Sequence, residues 1–278
     1  MRYVARQAEE GINVSKTHPL VEAGTLIAGL TIIFVAIAVA LIFIVEISLS
    51  FVSVDDEAAL FDGWLPDDLV TVAHTDARLN ETQRLVDRLA VHWPETPYKF
   101  RVEIDDSEIA NAMALPGGLI IVTSGLLDQV ESENELAFVL GHELGHFKNR
   151  DHLRALGRGT VMGLLYAVVL GRSDASGIGI RVADVTLRRF SRGQESDADA
   201  FGLELVNAEY RHVNQSWRLF ERWSIEDEAM IKFVTYLSTH PDSGERVADL
   251  KSLAVREGWT IEGHVTPLNW AENSPATQ

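Results

Sequence analysis

The sequence contains no cysteine. Disulfide frameworks, thiolate metal sites and cysteine nucleophiles are therefore excluded, and either redox compartment is compatible with the chain. Basic residues are scarce: 24 Lys and Arg face 41 Asp and Glu, giving a net charge of -17. A surface this acidic repels a phosphate backbone, so nucleic acid is not expected as a partner. Internal repeats and low-complexity stretches are also missing. Hydrophobic residues make up 46% and charged residues 23%, the balance of a folded chain rather than a disordered one. Its 278 residues suffice for one large domain or two small ones.

Charge is absent altogether from Ala23 to Val45, a run of Ile, Val, Leu, Ala and Phe. At about 1.5 Å per residue the run makes roughly 35 Å of helix, enough to cross a hydrocarbon core of about 30 Å. Glu46-Ile47-Ser48-Leu49-Ser50-Phe51 is a poor cleavage site, so the run reads as an anchor in the lipid bilayer and not as a signal peptide. Arg2, Arg6 and Lys16 precede it, and no Lys or Arg follows until Arg78. By the positive-inside rule residues 1–22 form a cytoplasmic tail, and the C-terminal part lies outside the cytoplasm. In a cell with two membranes, that is an inner-membrane, single-pass protein with a periplasmic domain. A second apolar stretch, Val161 to Leu170, lies between Arg158 and Arg172. It is too short to span, and reads as a core helix or, failing that, a segment grazing the membrane.

Residues 46–77 are acidic, contain Gly63 and Pro66, and read as a linker or lead-in to a domain over 78–278. A helix is expected over Glu81 to Trp93, ended by Pro94 and Pro97. Lys99 to Ile104 alternates like a strand. Ala112 to Leu115 and Leu119 to Thr123 flank the turn Pro116-Gly117-Gly118, so a small antiparallel sheet is expected. Ser132, with Glu135 three residues on, predicts a capping box that opens a helix running to about Arg150. Further helices are expected around residues 183–209, 213–223, 226–237 and 243–256, with a loose tail after Pro267.

The helix beginning at Ser132 carries His142-Glu143-Leu144-Gly145-His146. Histidines four apart share a helix face and can hold one zinc through imidazole nitrogens. Glu143 can reach a water on that metal but not the metal itself, which is where a general base for hydrolysis belongs. Leu140, Leu144 and Phe147 supply an apolar side for burial. A catalytic zinc needs a third protein ligand and an open position. No His-x-x-Gly-x-x-His continuation follows His146, which excludes the metzincin layout. A distant carboxylate must serve, and Glu195 and Asp199, four apart in Ser191-Arg192-Gly193-Gln194-Glu195-Ser196-Asp197-Ala198-Asp199, are the best source. One can bind the metal and the other can hold a ligand histidine by its free ring N–H. His74, His92, His152, His212 and His264 fit no ligand spacing.

Four segments together resemble the zinc peptidases of family M48, the gluzincins that include the CAAX prenyl endopeptidases and HtpX. They are Asn111–Gly118 running into Ile120–Leu127, Glu135–Gly141 leading into the His142–His146 motif, Glu195–Asp199 with Ala200-Phe201, and Ser238-Thr239-His240-Pro241 with Glu245-Arg246-Val247. The resemblance covers roughly residues 78–256. It implies a mainly helical α+β zincin-like domain with one zinc per chain, bound by His142, His146 and Glu195, and with Asp199 orienting a ligand histidine. It implies that the strand carrying Ala114, Pro116, Gly117 and Gly118 edges the cleft and holds substrate backbone in extended form. It also places His240 near the active site, as a donor to the oxyanion, while Arg246 is expected in a structural ion pair. With one clear transmembrane helix, the chain departs from the multi-spanning members, which puts their prenylated substrates in doubt.

The expected activity is a membrane-anchored zinc endopeptidase with Glu143 as general base, acting on unfolded or damaged proteins in quality control at the membrane. The alternative is a metal-bearing, peptidase-like module that binds proteins as a chaperone or adaptor without cutting them.

Overall fold

The computed structural model describes residues 17–61, 78–169, 190–225, 236, 240 and 245–270. The expectations for residues 1–16, for the lead-in beyond Phe61, for 226–235 and for Ser238, Thr239 and Pro241 lie outside them. The charge-free run lies inside α1 (Pro19–Leu49), the one described helix long and apolar enough to cross a membrane. The lead-in is folded where it is described. Val54–Phe61 forms α2, and its buried Glu57 accepts from the Gly117 N–H at 2.9 Å and from Tyr98 Oη at 3.1 Å. Glu57 also contacts Arg150 Nη2 at 3.1 Å and His152 Nε2 at 2.9 Å. One carboxylate thus ties the segment after the apolar helix to the sheet and to the helices beyond it.

The helix expected from Glu81 runs Arg78–Val91 (α3) and buries Leu85, Val86 and Leu89. Strands β1 (Arg101–Asp105), β2 (Ala112–Leu115) and β3 (Leu119–Thr123) form one sheet in the order β1-β3-β2. The antiparallel expectation holds for β2 and β3, where Leu115 faces Leu119 and Ala112 faces Val122. It fails for β1, which pairs parallel with β3, Arg101 beside Leu119 and Asp105 beside Thr123. The chain leaves β1, reverses, passes over one position to lay β2 at the far edge, and reverses again at Gly117 and Gly118. Two reversals restore the direction of β1, so the sheet is mixed. Both turn glycines have φ near +80°, where a side chain would be strained.

After a short α4 (Ser124–Leu127), α5 (Glu133–Lys148) carries the histidines. Ser132 caps it by accepting from the Glu135 N–H at 3.2 Å, but the reciprocal half of the capping box is not made. The Glu135 carboxylate instead accepts from the Glu131 N–H and from Arg222, because a strong guanidinium partner is within reach. Next come α6 (Asp151–Val169), α7 (Arg192–Tyr210), α8 (Arg218–Ile225) and α9 (Arg246–Arg256). Of the helix expected over 183–209, residues 183–189 lie outside the described residues, and α7 opens at Arg192, where Ser191 and Gln194 complete a capping box.

Helix α5 is buried from Asn134 to Phe147, between the sheet and α7. Its contact with α7 is made backbone to backbone. A Cβ on Gly145 would come within 2.7 Å of Ala198 Cα, and one on Gly202 within 2.8 Å of the His142 N. Side chains at these points would force the helices apart, and the two halves of the site with them.

Candidate metal centre

Asp199 Oδ1 lies 2.9 Å from His142 Nδ1, and Asp151 Oδ2 lies 3.0 Å from His146 Nδ1. Each carboxylate accepts the Nδ1–H, which leaves both Nε2 lone pairs facing inward, 3.1 Å apart. Glu195, one turn before Asp199 on α7, joins them: its carboxylate oxygens stand 3.5 Å from His142 Nε2 and 3.6 Å from His146 Nε2. His240 completes the set. Its Nδ1 lies 3.1 Å from His142 Nε2, 3.3 Å from His146 Nε2 and 3.1 Å from Glu195 Oε1.

Four side chains therefore bring candidate donors within 3.6 Å of one another, Glu195 through Oε2 toward His142 and through Oε1 toward His146 and His240. Bonds of about 2.1 Å to one central ion require donor–donor edges of about 3.4 Å in a tetrahedron. With one ligand atom from each residue the four lie within 4.8 Å of one another, close enough to share a metal ion, and all four residues are buried. Glu195 Oε2 accepts no hydrogen bond, leaving a lone pair for a cation, although the Arg246 guanidinium lies 3.3 Å away.

The surroundings set the charges. Arg246 Nε and Nη2 each donate to Asp199 at 2.7 Å, and Nη1 lies 3.3 Å from Glu195. This is the ion pair expected for Arg246. Burial opposes the Asp199 charge, but Arg246 outweighs it and holds the carboxyl well below its usual range. Burial pushes His142 down to about 3, so it is neutral, as a metal ligand must be. Burial also opposes charge on His146, but its bond to Asp151 and the carboxylates of Glu143 and Glu195 raise its pKa. His240 is pushed well below its ordinary value by burial.

Glu143 points into the same space. Its Oε1 has no hydrogen-bond partner and lies 3.6 Å from His240 Nε2. Burial pushes its carboxyl up to about 7, against the pull of His146 and of the Ala114 N–H. Ala114 belongs to β2, the edge strand packed on α5, so the strand carrying Ala114 and leading to Pro116, Gly117 and Gly118 does border the site.

Three contributors escaped the sequence reading. Asp151 sits five residues past His146, at the first position of α6, and no spacing rule marks it. Phe190 stacks on the His146 ring at 4.1 Å, and Tyr236 stacks on His240 at 4.3 Å. Three histidines without ligand spacing have other partners: His92 binds Glu209, His152 binds Glu57, and His212 meets the His264 carbonyl.

The sequence pattern that defines peptidase family M48 matches residues 74–254. Among curated proteins, the chain is 28% identical over 172 residues to the mitochondrial metalloendopeptidase OMA1 of Schizosaccharomyces pombe, covering 60% of this chain and 48% of that one. It is 29% identical over 173 residues to the putative beta-barrel assembly-enhancing protease of Vibrio cholerae, covering 58% and 35%. It is 30% identical over 169 residues to the metalloprotease YcaL of Escherichia coli, covering 56% and 62%. The chain thus spans about half the length of the OMA1 relative and about a third of the Vibrio one.

Proposed function

Because this chain belongs to peptidase family M48, we propose that it is a membrane-anchored zinc endopeptidase. The observation that carries the reading is the buried cluster of four candidate donors with one Glu143 oxygen free of hydrogen bonds beside it. Imidazole and carboxylate donors in a tetrahedron suit zinc, one per chain, held by His142, His146 and Glu195. When bound, such an ion polarises a carbonyl and lowers the pKa of water.

The protein's own groups do the rest. Glu143, poised near neutral pH, takes the proton of the attacking water and delivers it to the leaving amine. Asp199 and Asp151 fix the two histidine tautomers, and Arg246 keeps Asp199 ionised. The β2 edge at Ala114, Pro116, Gly117 and Gly118 aligns an extended substrate backbone by strand addition. His240 would act beside the ion, its Nδ1 within 3.3 Å of His142, His146 and Glu195.

Substrates are unfolded or damaged proteins at the membrane. The three relatives named above are proteases by name, and the anchor keeps this domain at a bilayer. Residues 23–45 cross the bilayer with the N-terminus cytoplasmic and the domain outside. A reporter fused after Gln278 is expected to be active outside the cytoplasm; activity inside would reverse the topology. For the chemistry, Glu143→Gln should retain one zinc per chain and lose about 10²- to 10⁴-fold in cleavage of an unfolded protein. Cleavage equal to the parent's would sink the peptidase mechanism, and a parent that bound but never cut would favour an adaptor.

A further inference from the structure

We infer that α6 is a second membrane segment, its C-terminal half entering the bilayer alongside α1. The inference rests on α1 crossing the bilayer as proposed above, and not on peptidase activity.

No residue of α1 is fully buried, but its exposure is uneven. Ala38, Leu41, Ile42, Val45, Glu46 and Leu49 are half-covered, while the residues between them are exposed. Spacings of three and four place all six on one stripe of the helix. The element that covers the stripe is α6, whose most extensive packing is against α1. Arg150 Nη1, just before α6, donates to the Leu49 carbonyl at 2.9 Å. Arg154 Nε donates to Glu46 at 3.0 Å. Gly157 lies against Val45 so closely that an added Cβ would collide with its side chain. Rising numbers in α6 meet falling numbers in α1, so the two helices run antiparallel.

This path fixes a depth. Glu46 closes the charge-free run, so the Arg154–Glu46 pair marks the polar boundary. From there α6 continues fifteen residues to Val169, about 22 Å along a core of about 30 Å. The covered stripe of α1 reaches Ala38, about 10 Å inside the end of the apolar run. A helix packed on that stripe lies at that depth. The chemistry agrees. Val161–Val169 carries no charge, and a helix satisfies its own backbone groups in lipid. Arg158 is one turn past Arg154, near enough for its long side chain to snorkel back to the boundary. The sequence alone favoured a core helix here because the run is too short to span; packed beside a spanning helix, it does not need to span.

One consequence reaches the metal centre. Asp151, the first residue of α6, orients His146 and lies three residues from the boundary pair, about 5 Å along the helix. The four donors therefore sit at the lipid surface, where the accessible substrates are polypeptide segments lying on or emerging from the bilayer.

The absence of cysteine makes the test clean. Single-cysteine variants Leu165→Cys and Val168→Cys are made in the full chain, labelled with an environment-sensitive NBD fluorophore, and reconstituted into phosphatidylcholine–phosphatidylglycerol vesicles. Leu30→Cys on α1 and the exposed Val255→Cys on α9 are the lipid and water references. Zinc content identifies any variant that fails to fold, and two α6 positions guard against losing one. Labels at Leu165 and Val168 are expected to emit at blue-shifted wavelengths and to be quenched by acyl-chain doxyl lipids to the same extent as the Leu30 label. Blue-shifted emission without quenching would make α6 a protein-core helix and overturn the inference. Emission matching Val255 would do the same. An unquenched Leu30 label would overturn the α1 span and the inference together, whatever the peptidase assays show.

Discussion

Asp199 and Asp151 each take the Nδ1–H of one motif histidine, which turns two Nε2 lone pairs toward the same point. Every other property of the centre depends on that choice of tautomer. His240 lies at the site, as expected, but in a position that admits a second role. The family resemblance suggested an oxyanion donor, while its Nδ1 stands among the metal donors, within 3.3 Å of both motif histidines. The two roles predict opposite results for His240→Ala. If the ring occupies the water's corner, the variant keeps its zinc and cleaves faster, on the order of tenfold if the open form is the minor one. An oxyanion donor would instead cost about 10²-fold or more in kcat. Steady-state kinetics with zinc analysis separates the two. The donors His142, His146 and Glu195 were legible because i, i+4 spacing and a paired carboxylate are local patterns. Asp151, Phe190 and Tyr236 were not, because each meets its histidine only after a turn or a long excursion of the chain.

At the scale of elements, several boundaries followed local rules closely, although the helix expected over 213–223 begins only at Arg218. Strands β2 and β3 run over the expected residues, and α3 and α5 agree within three residues at each end. Departures came where a distant partner intervened: Arg222 draws Glu135 away from its capping box, and β1 turns parallel because β2 takes the far edge. Helix α2 shows the same effect, since acidic residues after an anchor read as a linker until Glu57 finds four partners. Burial opposes the Glu57 charge, but His152, the Gly117 N–H and Arg150 hold its pKa below its ordinary value. A carboxyl depressed in the folded state stabilises above its unfolded pKa, and that stabilisation fades as pH falls through the folded pKa. Denaturation measured from neutral pH to below 4.5 should show an acid-sensitive component that Glu57→Gln removes. Glu57→Ala, which strands buried partners, is expected to cost about 3 kcal/mol at neutral pH. An unchanged acid limb in the Gln variant would place the sensitivity elsewhere.

For the whole molecule, the metal centre is also a clasp. It joins α5, α7 and His240, and without an ion its four buried donors lose their common partner. Chelation is therefore expected to lower Tm, and zinc restores it by mass action, by about 4 kcal/mol at a thousandfold excess over Kd. Glu143→Gln should show the same shift, because Glu143 is not a donor. A chelator-insensitive Tm would mean that the fold holds together without the ion. Beside the metal centre, next to Asp151, α1, α2 and α6 meet around Arg150, which donates to Leu49, Val52 and Glu57. The long apolar helix, the β2–β3 hairpin and the helix that carries the motif histidines thus share one polar junction.

The apolar run, the helix that carries the histidines, the hairpin and the identity of three donors all follow from neighbours along the chain, where hydropathy, period and turn chemistry act. The fourth donor, the histidine tautomers, the mixed sheet and the course of α6 beside α1 follow from contacts between residues far apart in sequence. Such contacts depend on which surfaces fit, as where Gly145 meets Ala198 and Gly157 meets Val45. No periodicity records that fit, because it belongs to two segments at once.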